Sequence, residues 1–158
     1  VRAFLEQVPA MKIEIISLVL LAYGVGGFFG NLVGGAITAR SAPASVLVGT
    51  VLIAAAALVL VLFGASAWVS AAGVAVWGFA FGAIPVGVQT WIVRSATDQP
   101  EAGNGLIVAA FQIAITSGAV LGGLLVDHLG PTGVIGYAGI MTMIGTLLVL
   151  GFGRKGTS

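Results

Sequence analysis

Apolar residues run along this chain in blocks of membrane length, and the few charged residues punctuate them. After Glu14 no charge occurs until Arg40, a gap of about 25 residues, or roughly 37 Å of helix against a hydrocarbon core of about 30 Å. This predicts a first span at about 15–38. Positions 41–93 carry no charge at all, and as one helix they would reach roughly 80 Å, so the stretch must turn back on itself. Gly64-Ala65-Ser66-Ala67, followed by Trp68 as an interfacial anchor, marks the break. Spans two and three then fall at about 44–63 and 68–92, and spans four and five at about 105–126 and 132–152. The long apolar runs lack two-residue alternation, and lipid offers backbone groups no other local partner, so all five are expected to be helices. The expected fold is an all-α integral membrane bundle of about five transmembrane helices.

Composition agrees with the pattern. Of 158 residues, 59% are hydrophobic and 7% charged, against roughly half and a quarter in soluble domains. A net charge of +1 points to no nucleic-acid partner, and the absence of cysteine removes disulfides and thiolate chemistry. The single histidine, His128, sits beside Asp127 in a predicted turn with no second histidine or cysteine to complete a metal site or a nucleophile pair. No phosphate-binding loop or dinucleotide fingerprint is present. The sequence therefore predicts no enzyme, no cofactor and no metal.

Alternating spans put Arg40, Arg94, Arg154 and Lys155 on one side and only Arg2 and Lys12 on the other. By the positive-inside rule the first side is the cytoplasm, with the tail 154–158 in it. Residues 1–14 read as the end of a preceding helix and an outside loop, and the chain as a fragment.

Twenty-five glycines concentrate inside the spans. Gly26, Gly30 and Gly34 recur every four residues in span one, Gly78 and Gly82 in span three, Gly118 and Gly122 with Gly123 in span four. Small residues at this spacing let a second helix backbone approach closely, either as simple packing or as a sliding surface between helices that rock during transport. On span three Gly78, Gly82, Pro85 and Gln89 form one stripe and Trp77, Phe81, Val88 and Trp91 its neighbour. The glycines would leave room, Pro85 would act as a hinge, and aromatics could stack on a planar solute. Span four has a comparable stripe with Gln112 and Thr116. Gln89 and Gln112 each offer a donor and an acceptor to an uncharged polar ligand, or serve as interfacial and interhelical hydrogen-bonding groups. Asn31 is a further mid-span amide needing a partner. Candidate cavity residues are thus Trp77, Gln89, Gln112, Thr116 and Asn31. A cytoplasmic charge cluster would set Arg40 and Arg94 against Asp98 and Glu101.

The run WGFAFGAIPVGVQTWIVRSATDQPEAGNGLIVAAFQIAITSGAVLGGLLVDHLG resembles the tenth and eleventh helices of the drug:proton antiporter branch of the major facilitator superfamily, particularly nucleoside-efflux and arabinose-efflux-like permeases. FLEQV and LVLLAYGVGGFFGNLVGG resemble the seventh-helix end and the eighth helix. The resemblance implies the C-terminal half of a twelve-helix bacterial inner-membrane carrier, working by alternating access with proton-driven export of a nucleoside, sugar or drug. Its missing N-terminal half, a small-molecule substrate, membrane lipid and the proton are the implied partners. The loop after span one keeps only Gly35 and Arg40 of the family's G-x-L-x-D-R-x-G-R pattern. No acidic or basic group lies mid-span, so either a proton-carrying carboxylate lies in the missing half or the carrier is not proton-coupled. A facilitator or uptake carrier, or a non-transporting assembly held by glycine faces, are the competing readings.

Overall fold

The computed structural model describes residues 1–95 and 100–153. The helices are α1 (Arg2–Gln7), α2 (Ile13–Arg40), α3 (Ala42–Phe63), α4 (Ala67–Ser95) and α5 (Pro100–Gly153), with no strand among the described residues. Four of them, α2 to α5, are long and apolar enough to cross a membrane. α5 is two helical arms, 100–129 and 131–153, that meet at a kink at Gly130, the one non-helical residue inside it (φ 68° and ψ 173°), and the arms correspond to the fourth and fifth spans expected from the sequence.

The Gly130 break follows from its neighbour. Pro131 lacks an N–H, and its ring disfavours helical backbone at the residue before it. Gly130 resolves this in a region almost closed to residues with a side chain. The arm 131–153 then runs back along α3: a Cβ at Gly139 would lie 2.9 Å from the Ala57 Cβ, and one at Gly136 3.8 Å from Val61. Gly130→Ala is expected to cost about 1–3 kcal/mol. Thermal unfolding of the purified variant checks this, and an unchanged midpoint would refute it.

α4 is the centre of the bundle, packed between α2 and α3. It runs parallel to α2 through a seam of backbone against backbone. A Cβ at Gly26 would lie 2.7 Å from the Ala75 carbonyl oxygen, and one at Gly34 2.7 Å from the Ala83 Cα. A Cβ at Gly30 would overlap the Phe79 carbonyl, at Gly78 the Tyr23 carbonyl, and at Gly82 the Gly27 carbonyl. α3 runs antiparallel to α4, with Gly49 against Ile84, Gly73 against Leu60 and Gly87 against Val46. Arg40 and Arg94 consequently lie at the same end of the bundle. There Ser45, fully buried, donates to the Gly34 carbonyl at 3.1 Å, with the Ala83 carbonyl 3.5 Å away, so one hydroxyl ties α2, α3 and α4. Thr38, one turn after Gly34, is buried with its hydroxyl unpartnered.

The opposite end is closed by α1. Phe4 and Leu5 are 1% and 0% exposed and pack into a cluster with Ile16, Val19, Ala57, Leu60, Val74 and Ile135. Within this stretch, expected to be the end of a preceding helix and a loop, Arg2–Gln7 is helical and its apolar side contributes to the core. Nearby, Ser70 donates to the Gly64 carbonyl at 2.7 Å, satisfying the turn that joins α3 to α4.

Candidate functional site

α4 stays helical through Pro85, although proline removes one backbone donor. Beyond it, Gln89, Thr90, Val93 and Arg94 share one side of the last two turns by their i, i+1, i+4, i+5 spacing. α5 begins with Pro100, where a missing N–H costs nothing, and carries Glu101 in its first turn, favoured by the positive end of the helix dipole. Arg94 in the last turn of α4 is favoured by the opposite dipole end. Between these two helix ends lies an open recess of about 560 Å3 lined by Gln89, Thr90, Val93, Arg94, Glu101 and Asn104.

The recess brings together Gln89, Arg94 and Glu101. Arg40, exposed at the end of α2, does not line it, and Asp98 lies outside the described residues. Among the described residues the only ion pair is Arg2 with Glu6, at 2.8 Å within α1. Asn104 and Thr90 line the same recess and had not been singled out in the sequence. The signal for Asn104 was its spacing of three from Glu101, which puts both on one helical face.

The remaining candidates are dispersed. Gln112 and Thr116 are exposed and line a separate recess of about 620 Å3 with Ile113, Ser117, Val120 and Leu121, all on the arm 100–129. Gln89 and Gln112 therefore do not face a common space. Trp77 is half-buried against the cluster around Phe4, and Asn31 is exposed on α2. The room that Gly78 and Gly82 leave on α4 is filled by the backbone of α2 at Tyr23 and Gly27. Gly118, Gly122 and Gly123 have nothing within 4 Å of a Cβ. Among the described residues no group of acids, histidines or cysteines could hold a metal ion.

A site of this kind has donors, acceptors and one charge of each sign, but no nucleophile paired with a base. It can hold and release a polar solute. Among curated proteins, the chain is 33% identical over 149 residues to the purine ribonucleoside efflux pump NepI of Shigella sonnei (strain Ss046) and to that of Escherichia coli (strain K12). It is 34% identical to the pump of the same name from Escherichia coli O1:K1 / APEC. In each case 94% of this chain is aligned, and it spans 38% of the relative's length. No solved structure gives a significant match. Residues 8–157 match the Major Facilitator Superfamily, and with membrane-length apolar helices over that range, the chain belongs to this superfamily of multi-pass membrane transporters.

Proposed function

We propose that this chain is part of a secondary carrier that exports a small polar organic solute, a purine ribonucleoside or a close relative of one, by alternating access. The observation that carries the reading is the 94% coverage of the chain by similarity to purine ribonucleoside efflux pumps. The α2–α4 seam supports it: two helices joined by glycine backbone, without interlocking side chains, can shift against each other with little to unlock. Arg40 and Arg94 stand at one end of the bundle, which the positive-inside rule assigns to the cytoplasm of a bacterial inner membrane. Export is driven in this reading by proton entry. The coupling carboxylate belongs to a part of the carrier beyond this chain, because Glu101 and Asp127 lie towards the ends of the arm 100–129 and no acid lies mid-span.

Uptake of nucleosides, sugars and dyes into energised inverted vesicles containing the full gene product tests this. The expected result is accumulation of a purine nucleoside that an uncoupler abolishes. Equilibration without accumulation, indifferent to the uncoupler, would replace the exporter by a facilitator. No movement of any nucleoside would overturn the substrate class.

A further inference from the structure

Among the recesses described here, the one between α4 and α5 is the most densely polar. The groove between α3 and the arm 131–153 is lined by Ala, Val, Leu, Ile, Gly and Met, with Thr146 as its one hydroxyl. The space beside Trp91 is bounded by Val46, Val88, Ile92 and Val149, with Ser95 alone polar. The recess around Gln112 belongs to a single helix. In the α4–α5 recess, by contrast, five of six lining side chains carry hydrogen-bonding groups, and they come from two helices. Its volume of about 560 Å3 lies within the roughly 300–1,000 Å3 of small-molecule sites.

The groups are specific in kind. Gln89 and Asn104 each present an amide donor and acceptor side by side, the pattern that pairs with the exposed N6/N7 edge of a purine. Glu101 presents a carboxylate, which accepts hydrogen bonds from vicinal ribose hydroxyls, as acidic residues do in dinucleotide sites. Arg94 presents a planar guanidinium able to stack on an aromatic ring. Among the described lining residues one guanidinium faces one carboxylate, a pairing suited to a neutral solute. Its position at the Arg94 end of α4 places it where a solute still partly in water would first meet the carrier.

We propose that this recess is an entry site for a neutral purine ribonucleoside, with Glu101 holding the ribose diol and the carboxamides of Gln89 and Asn104 holding the base edge. The proposal rests on the carrier reading above and adds a site and a basis for selectivity, discrimination through the sugar hydroxyls. Glu101 is exposed on the first turn of α5, so Glu101→Gln changes charge without disturbing the core.

The test is equilibrium binding of adenosine and 2′,3′-dideoxyadenosine to the full gene product in nanodiscs, alongside vesicle transport of both. The protein is expected to prefer adenosine by about 10- to 100-fold, the range for hydrogen bonds to a charged group. Glu101→Gln is expected to bring that ratio close to one. Asn104→Ala and Gln89→Ala are expected to raise the Kd of both ligands alike and leave the ratio standing, with the number of binding sites unchanged, whereas loss of fold would lower the number of sites. If the protein transports nucleosides but the ratio is unchanged in Glu101→Gln, the site assignment fails and the carrier reading stands. If it neither binds nor moves a nucleoside, both fail.

Discussion

Gly30→Ala is expected to destabilise the protein by about 3 kcal/mol, the upper end of the usual cost of overpacking, while Gly24→Ala in the same helix is neutral or slightly stabilising. The two substitutions add the same methyl group to the same helix. Alanine is the better helix former by about 0.8–1 kcal/mol, so propensity alone predicts a gain at both positions. The difference is what the methyl meets. At Gly24 there is nothing within 4 Å, whereas at Gly30 the new carbon overlaps the Phe79 carbonyl and would lie 3.0 Å from the Phe79 Cα. A side chain could rotate away from such a clash, but a helix backbone cannot, so α2 and α4 must separate along the seam. Unsatisfied contacts at Gly26, Gly34, Gly78 and Gly82 follow from that separation. For a chain of this size the thermal midpoint should fall by roughly 6–12 °C for Gly30→Ala, measured on protein in a single detergent. Equal midpoints for the two variants would show that the seam is not held at backbone distance.

Phe4→Ala should be comparably severe, for the opposite reason. Here a substitution leaves a void, and removal of a buried phenylalanine costs about 3–5 kcal/mol. Phe4 touches the ends of several helices at once: a Cβ built at Gly64 would lie 2.5 Å from its ring tip, and its cluster draws residues from α2, α3, α4 and the arm 131–153. No single neighbour can collapse into the space without pulling on another helix. Lys12, exposed between α1 and α2, reports the loss. Tryptic cleavage there should speed up on the order of 100-fold if opening of α1 becomes about 3 kcal/mol easier. Glu6→Ala removes only an exposed ion pair within α1, worth about 0–1 kcal/mol, and should change the rate little. Similar rates for Phe4→Ala and Glu6→Ala would refute the role of the cluster.

The two sites differ in how far the sequence revealed them. The all-α membrane character was legible because long uncharged runs leave few alternatives, and the turn at Asp127-His128 was read between spans four and five, within a few residues of the break at Gly130. Glycine spacing in α2 and α4 was equally visible. What could not be read was that Gly26, Gly30 and Gly34 are covered while Gly118, Gly122 and Gly123 are open, since spacing is a property of one helix and contact a property of two. The same limit applies to Gln89 and Gln112: the sequence offered each as a candidate ligand contact, and only the structure shows that the two amides line different recesses. α1 was obscure for another reason. Residues 1–14 were legible as a helix end and a loop, but not their burial, because only packing against four other elements makes Phe4 and Leu5 core residues.

Gly130 carries a mechanical implication. The arm that precedes it, residues 100–129, is about 45 Å long at 1.5 Å per residue, and one pair of backbone dihedrals forms its base. A rotation of about 10° there would sweep the far tip through about 8 Å, while Glu101 and Asn104 sit on that tip and Gln89 and Arg94 sit on α4. A small angular change at one glycine would therefore be amplified at the other end of the molecule into a distance comparable to the width of a nucleobase.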